Sequence, residues 1–154
     1  MTLVLELQKT PVVDVLSHNV SIRSGTSIEL VFKKMNEKNV GSIAIIDNED
    51  RLLGLFTERN ILNRVILANC SIKESIDAVM VASVHTISSK ATLDQAFVIM
   101  YKHNHRYLPV VDGSKFVGFI EARTFVSFLS EIYATTISTV APENIPSKDF
   151  REGA

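Results

Sequence analysis

The feature of this sequence that most constrains its fold is that one segment occurs twice. Aligning Met35 with Met100 brings residues of matching type together along both segments. The aligned positions are Ile22 with Ile87, Ile28 with Leu93, Phe32 with Phe97, and residues 45–47 with residues 110–112. After one residue is skipped in the following turn, Gly54 aligns with Gly118 and Arg59 with Arg123. A chain with such a repeat builds one structural unit twice.

Each copy alternates between helical and strand periodicity. In the first copy, residues 27–39 have apolar side chains at helical spacing, and Thr26 with Glu29 predicts a capping box ahead of them. Two β-branched runs, 42–46 and 52–56, predict a hairpin, and residues 58–68 return to helical spacing. The predicted order is strand, helix, strand, strand, helix.

The second copy predicts the same order of elements. We expect a short strand at 84–87, a helix over 93–103, strands at 107–112 and 116–121, and a final helix that ends at Tyr133. A lead-in segment precedes each copy, at residues 13–16 and 76–80, and Pro11 and Ser71 mark the starts of two predicted lead-in helices. The predicted domains are therefore 10–70 and 71–134, each with its lead-in helix, followed by a flexible C-terminal tail over 135–154.

A single copy is too small to fold alone, because its three strands and two helices bury too little apolar area. Two copies packed sheet to sheet would share one core. The predicted fold class is therefore α/β (α+β), with two β-α-β-β-α units related by a pseudo-twofold axis and a cleft between them.

Composition excludes several functional classes. Sixteen Lys and Arg residues against seventeen Asp and Glu give a net charge of −1, with no basic stripe, so nucleic acid is a poor candidate partner. Cys70 is the single cysteine, so no intramolecular disulfide can form. No apolar run approaches the roughly 20 residues of a membrane span. We predict a cytoplasmic protein without a membrane partner.

Two short motifs resemble a known family. Residues 41–47 and 54–60 (GSIAIID and GLFTERN) resemble the cystathionine-β-synthase (CBS) domain, whose pattern is a strand, Gly-h-x-Thr-x-x-Asp and a helix. Residues 107–112 and 118–120 (YLPVVD and GFI) are similar to segments of the same family. The resemblance covers about residues 10–134 and implies a tandem CBS module. Such a module commonly forms homodimers, binds AMP, ADP, ATP or S-adenosylmethionine as a regulatory ligand, reports its level to an effector protein and carries no cofactor.

The first copy retains part of the ligand motif. The resemblance implies that the motif Thr, here Thr57, bonds a ligand phosphate and that the motif Asp bonds the ribose hydroxyls. Thr57 lies where a strand gives way to a helix, which suits an anion, although it can instead serve only as the helix N-cap. Asn60 replaces the Asp, and its single acceptor oxygen should weaken ligand binding without abolishing it.

The second copy departs further from the motif. Glu121 stands at the Thr57 position and Thr124 at the Asn60 position. A carboxylate next to a phosphate repels it, so we predict at most one nucleotide site, in the cleft of the first copy. Two alternatives remain for the second, degenerate cleft: Arg123 neutralises Glu121, or the cleft takes an uncharged adenosyl ligand.

The segment His105-Arg106-Tyr107-Leu108-Pro109 is similar to the His-Arg-h-Pro segment with which nucleotide-sensing CBS subunits reach phosphates. Arg106 can clamp a phosphate bidentately, or it can be an exposed loop charge. Arg59 faces either solvent or phosphate. The predicted ligand-binding residues are Thr57, Asn60, Arg59, Ile22, His105, Arg106 and Pro109. His103 and His105 lack closely flanking metal ligands, so no metal site is predicted.

No catalytic constellation is recognisable in the sequence. It contains no Ser-His-Asp or Cys-His set, no P-loop and no metal-ligand cluster, so we predict that the chain is not an enzyme. Two functions remain: a nucleotide-binding regulatory module, and a ligand-free dimerisation or protein-docking module. The intact Thr57 favours the first, whereas Asn60, Glu121 and Thr124 favour the second.

Overall fold

The computed structural model describes the backbone of residues 3–140 and the side chains of residues 3–135. Two three-stranded sheets are flanked by helices. The elements in order are α1 (Leu3–Lys9), a 3₁₀ turn (Val12–Val15), β1 (Ser21–Arg23), α2 (Ile28–Lys38), β2 (Ser42–Ile46), β3 (Leu52–Thr57), α3 (Glu58–Asn60) with a π-helical continuation (Ile61–Ile66), a 3₁₀ turn (Ile76–Ala78), β4 (Ile87–Ser88), α4 (Leu93–His103), β5 (Tyr107–Asp112), β6 (Lys115–Glu121) and α5 (Ala122–Val140).

The two sheets have the same topology. In each, the middle strand of the sheet pairs in parallel with the first strand and antiparallel with the third, in the orders β1-β2-β3 and β4-β5-β6. The strand register shifts at the equivalent point in both hairpins, between Ile45 and Ile46 and between Val110 and Val111. The predicted repeat and the predicted α+β class are confirmed.

The N-cap of the helix after β1 lies one residue after the predicted cap, Thr26. Ser27 is the N-cap of α2, with an extended backbone and a side chain that accepts from the Leu30 N–H. The Thr26 hydroxyl instead donates to the Arg23 carbonyl at 2.7 Å. The predicted Thr26–Glu29 capping box is therefore wrong, because Thr26 belongs to the preceding turn. Asn39 ends the helix in the left-handed conformation, with φ of 52°.

The lead-in segments precede one copy in sequence but pack on the other. Val12 is buried in the core of the second copy, whereas Ile76 and Val79 are buried in the core of the first. Both predicted lead-in helices are only 3₁₀ turns. The Ile28 N–H at the start of α2 donates to the carbonyl of Glu74 at 2.9 Å, so the exchanged segment also completes a helix terminus. Neither copy is complete without a segment that belongs, in sequence, to the other.

Glycine allows the exchanged lead-in segments to approach the third strand of each sheet. An added Cβ at Gly54 would lie 2.6 Å from the carbonyl oxygen of Val81, and one at Gly118 would lie 3.1 Å from that of His18. Real Cβ atoms do not tolerate the first distance, since the obstacle is backbone. The aligned glycines therefore lie where another backbone approaches closely in each copy, and tertiary packing requires a glycine at Gly54.

The sheets pack against each other across the pseudo-twofold axis. Their shared apolar cluster contains the buried residues Ala44, Ile46, Leu55 and Phe119. The hairpin tips pair as well: the Leu52 N–H donates to Ser114 and the Phe116 N–H to Asp50, both at 3.0 Å. The predicted sheet-to-sheet arrangement is confirmed by this joint interface.

Three predicted boundaries were wrong. The predicted helix over 58–68 is one short α-helical segment followed by a π-helical turn, and the strand predicted at 84–87 is Ile87–Ser88. Helix α5 continues to Val140, six residues into the predicted flexible tail, and the rest of that tail lies outside the described residues. Within 3–140, none of the helices combines the length and apolarity needed to cross a bilayer.

Candidate functional site

A cavity of about 340 Å³ lies in the first cleft, at the junction of β3 and α3. The lead-in segment of the second copy and the segment before β5 form its other walls. The lining residues are Leu55, Thr57, Glu58, Arg59, Asn60, Val81, Ser83, Val84, His85, Asn104, His105, Arg106 and Tyr107. The cavity therefore belongs to both copies and exists only because they pack together.

Thr57 and Asn60 bond each other at the mouth of α3. The amide oxygen of Asn60 accepts from the Thr57 backbone N–H at 2.9 Å and from the Thr57 hydroxyl at 3.0 Å. Thr57 is the N-cap residue, and Asn60 at the third helical position completes a capping box with it. The capping role considered for Thr57 is thus present, and the Thr57 hydroxyl could donate to a phosphate only by giving up its hydrogen bond to Asn60.

The structure brings five of the seven predicted ligand residues to this cavity, namely Thr57, Arg59, Asn60, His105 and Arg106. Ile22 lies outside it and packs against the core cluster of the first copy. Pro109 is buried within β5 and is also absent from the cavity wall.

Sequence reasoning missed the wall made by residues 81–85. Val81 pairs with Leu55 through two backbone hydrogen bonds, of 2.8 and 3.0 Å, and this pairing holds Ser83 and Val84 over the cleft. The signal for it was Gly54, whose lack of a side chain makes room for the Val81 carbonyl. A glycine on a strand often marks such a close backbone approach.

Three histidines meet at one end of the cavity. The Nδ1 atom of His85 lies 2.7 Å from Nε2 of His105, and the rings of His85 and His103 stack with centroids 3.9 Å apart. Burial lowers the pKa of His105 and of His103, and the neighbouring His85 lowers both further. Among the described residues, no three His, Cys, Asp or Glu side chains are placed to hold a metal ion together.

The second cleft is occupied by a network of its own side chains. The Glu121 carboxylate, 6% exposed, forms an ion pair with Arg123, and Nε2 of His18 lies 3.4 Å from it. The same nitrogen of His18 lies 3.1 Å from the Ser42 hydroxyl. Burial lowers the pKa of His18, the Glu121 carboxylate opposes this shift, and Arg123 adds to it.

Thr124 completes this network. Its hydroxyl accepts from the Glu121 backbone N–H at 3.3 Å and lies 2.8 Å from the Ser17 hydroxyl. Glu121 and Thr124 therefore occupy the positions of Thr57 and Asn60, as the sequence alignment predicts. The ion pair with Arg123, which was one of the two alternatives for this cleft, is present.

A second cavity of about 500 Å³ lies beside this network. Its lining residues are Phe32, Met35, Asn36, Asn39, Val40, Gly41, Glu58, Ile61, Arg106, Tyr107, Glu121, Ala122 and Arg123. Glu58, Arg106 and Tyr107 line both cavities. The Tyr107 hydroxyl lies over Gly41, where a side chain would displace it, and burial raises the pKa of Tyr107.

Comparisons with solved structures show the same fold. The CBS domain pair of protein MJ0100, in complex with 5′-methylthioadenosine and S-adenosyl-L-methionine, is 26% identical, with a TM-score of 0.68, and the match covers 82% of this chain and 98% of that one. CBSX2 in complex with AMP is 20% identical, with a TM-score of 0.70, and the match covers 80% of this chain and 98% of that one.

Sequence comparisons identify the family. An uncharacterized 17.7 kDa protein of Acidianus ambivalens is 27% identical over 79% of this chain and 74% of its own length. The uncharacterized protein MJ1225 of Methanocaldococcus jannaschii is 28% identical over 80% of this chain, which spans only 44% of that relative. The CBS domain model matches residues 12–67 and again residues 75–131, so this chain belongs to the CBS domain family as a tandem pair.

Proposed function

We propose that this chain is a regulatory CBS pair that binds one adenosine nucleotide or related adenosyl ligand in the first cleft and signals its occupancy to an effector protein. The observation that carries this proposal is the convergence of Thr57 and Asn60 with His105 and Arg106 on one cavity. These side chains come from both copies, so a ligand that contacts all of them would favour one angle between the copies, and a partner can respond to that angle.

The cavity offers a suitable group for each part of such a ligand. Val81, Val84 and Leu55 provide an apolar wall against which an adenine ring can pack. Asn60 can bond a ribose hydroxyl, and Arg106 with Arg59 can neutralise a phosphate. The ligands in the MJ0100 and CBSX2 structures support this ligand class, because both proteins share the fold and their ligands are adenosine derivatives.

The second cleft would bind no anionic ligand. Glu121 supplies a buried negative charge at the position of Thr57, and the hydroxyl of Thr124 is bonded to Ser17. Because Arg123 already pairs with this carboxylate, drawing Arg123 away to a ligand would leave the buried carboxylate without its counter-charge. We therefore propose one nucleotide per chain.

A homodimer is the proposed assembly. Three helical segments expose large apolar side chains: Leu62, Ile66 and Leu67 after α3, Phe97, Val98 and Tyr101 on α4, and Val126, Leu129 and Tyr133 on α5. Exposed apolar faces of this kind are typical of interfaces, and a second copy would cover them through a twofold contact.

A thermal-shift panel tests the ligand. AMP, ADP, ATP, adenosine and S-adenosylmethionine are each added at millimolar concentration, and at least one should raise the melting temperature. A ligand at a hundred times its dissociation constant adds about 2.7 kcal/mol to the free energy of unfolding. Absence of any shift across the whole panel would contradict nucleotide binding and favour the alternative, a ligand-free docking or dimerisation module.

Two threonine variants separate binding from helix capping. Thr57→Ala should remove the ligand-induced shift, because it deletes the hydroxyl that faces the cavity. Thr92→Ala is the matched control, since Thr92 caps α4 through a similar capping box and lines neither cavity. Both substitutions should lower stability by about 1 kcal/mol, but only the first should abolish the shift.

A further inference from the structure

The second cavity, of about 500 Å³, is lined by balanced charges. Among the described residues that line it, the carboxylates of Glu58 and Glu121 face the guanidiniums of Arg106 and Arg123, and the others carry no charge. The described wall of the first cavity instead has two guanidiniums, of Arg59 and Arg106, and one carboxylate, of Glu58. A ligand with charge of one sign therefore gains no net attraction in the second cavity, whereas a dipolar ligand can pair with both signs.

Two of these four charges already pair with each other. Arg123 forms an ion pair with the Glu121 carboxylate, which is 6% exposed. Glu58 and Arg106 are exposed, and neither forms an ion pair with another residue of 3–135. The cavity therefore presents one carboxylate and one guanidinium to a ligand.

Tyr107 lies beside both of these charged groups. A Cβ atom at Gly41 would clash with the Tyr107 hydroxyl and would lie 3.2 Å from a carboxylate oxygen of Glu58. The guanidinium carbon of Arg106 lies 6.0 Å from the centroid of the Tyr107 ring. Burial raises the pKa of Tyr107, so the phenol keeps its proton at neutral pH and can donate to an anion. A carboxylate, a hydroxyl donor and a guanidinium thus converge on one part of the wall.

An apolar surface lines the same cavity. Its residues are Phe32, Met35, Val40 and Ile61. Met35 is buried in the core cluster of the first copy, and the other three side chains pack against that cluster, so the surface is held in place. The volume of about 500 Å³ is within the roughly 300 to 1,000 Å³ of small-molecule sites. An apolar side chain of a ligand would be removed from water there.

We propose that the second cavity binds a free α-amino acid with a large apolar side chain. The ammonium group pairs with Glu58, and the carboxylate pairs with Arg106 and accepts from the Tyr107 hydroxyl. The side chain of the amino acid packs on the apolar surface. This site goes beyond the proposed function, because it takes a different ligand. Glu58, Arg106 and Tyr107 line both cavities, so the amino acid would contact the wall that a nucleotide phosphate uses.

Isothermal titration calorimetry with matched ligands tests the requirement for both charges. The amino acids are L-leucine and L-phenylalanine. Their analogues without the ammonium group are 4-methylpentanoate and 3-phenylpropanoate, and those without the carboxylate are 3-methylbutylamine and phenethylamine. We expect at least one of the two amino acids to bind, and each of its analogues to bind about tenfold more weakly, because one charge-assisted bond is lost. Glycine should also bind about tenfold more weakly, since it has no side chain to bury.

Two variants assign the charges of the ligand to residues. Glu58→Gln should weaken amino-acid binding about tenfold and leave the affinity for the analogue without an ammonium group unchanged. Arg106→Gln should weaken amino-acid binding to the same extent and leave the affinity for the analogue without a carboxylate unchanged. Both side chains are exposed, so the fold should survive. Glu37→Gln is the matched control, because Glu37 is exposed on α2 and lines neither cavity.

Four outcomes decide the proposal. Losses that follow the charge removed, with an unchanged control, support it. Equal affinities for the amino acid and its singly charged analogues would overturn it, as would amino-acid binding that is unchanged in both variants. Failure of both amino acids to bind the wild type would also overturn it, and an AMP-induced thermal shift would then still support the proposed function. Amino-acid binding without any shift in the nucleotide panel would support this inference and contradict only the proposed function.

Discussion

The two clefts share their backbone geometry but differ in what fills them. In the first, the Asn60 side chain accepts from the Thr57 N–H at 2.9 Å, and in the second, the Thr124 side chain accepts from the Glu121 N–H at 3.3 Å. At the start of both α3 and α5, the side chain three residues further on therefore accepts from the backbone N–H of the residue before the helix. A repeated fold can keep a local structural role at a position while its role toward the cleft changes.

The lead-in segments account for the rest of the difference. In the second cleft, His18 reaches the Glu121 carboxylate and the Ser42 hydroxyl, so the polar groups satisfy one another. In the first cleft, Ser83 and Val84 leave a cavity of about 340 Å³ open beside Thr57. One buried carboxylate and one imidazole thus give the second cleft an internal polar network beside its cavity of about 500 Å³.

The largest expected effect comes from the two motif glycines. Gly54→Ala should lower the free energy of unfolding by about 2 to 3 kcal/mol, because the new methyl group would meet the Val81 carbonyl at 2.6 Å. Gly118→Ala should lower it by about 1 kcal/mol, since its neighbours lie at 3.0 Å or more and two of them are terminal methyl groups of the Leu16 side chain. Urea denaturation measures both, and equal losses would show that the two lead-in contacts are equivalent.

Exchanging the cap residues should exchange the properties of the clefts. Glu121→Thr should lower stability by about 1 to 2 kcal/mol, because His18 and Arg123 lose their buried partner. It should also raise the calorimetric stoichiometry for AMP from one to two per chain. The reciprocal Thr57→Glu should reduce the stoichiometry to zero. A second site that stays closed in Glu121→Thr would show that His18 alone blocks it.

Replacing Asn60 with the Asp of the family motif should increase the difference in ligand affinity between the first and the second cleft. Asn60→Asp should tighten adenosine binding about fivefold, since a carboxylate can accept from both ribose hydroxyls with bonds about 1 kcal/mol stronger than an amide makes. The capping contact with the Thr57 N–H is kept, so the melting temperature without ligand should hardly change. Thr124→Asp, at the equivalent position, serves as the control and should leave the affinity unchanged.

The pH dependence of stability is the smallest expected effect. The pKa values of His18, His103 and His105 are all lowered in the folded chain, with burial as the main cause. Folding is therefore favoured above the ordinary histidine pKa of about 6.5, and this contribution is lost as the pH falls below it. Urea midpoints at pH 7.5 and 5.5 should show this loss, and His18→Asn should reduce it. An unchanged midpoint in the wild type would contradict a lowered pKa for these histidines.

Local patterns in the sequence were sufficient for most of the fold. The bounds of β2, β5 and α4 match their predictions because β-branched runs and helical spacing act over a few neighbouring residues. The irregular helix after β3 and the position of β4 were mispredicted. Both depend on contacts between residues far apart in the chain: the helix after β3 begins at the wall of the first cleft, and β4 is set by its parallel pairing with β5.

The candidate site was only partly predictable. Thr57, Asn60, Arg59, His105 and Arg106 were identified from motifs, whereas His85 and Val81 carried no motif of their own. Ile22 and Pro109 were predicted as ligand residues but lie outside the cavity. Motif spacing locates residues along one chain segment and does not specify which distant segment packs opposite it.

The sequence by itself determined the repeat, the order of elements and the capped helix starts that carry Thr57 and Glu121, because these depend on contacts between near neighbours. Only the tertiary structure decided that each lead-in segment completes the other copy, that three histidines meet at one cleft, and that His18 contacts Glu121 in the other. These contacts join residues far apart in the chain, and their partners are set by the packing of two sheets around one shared core.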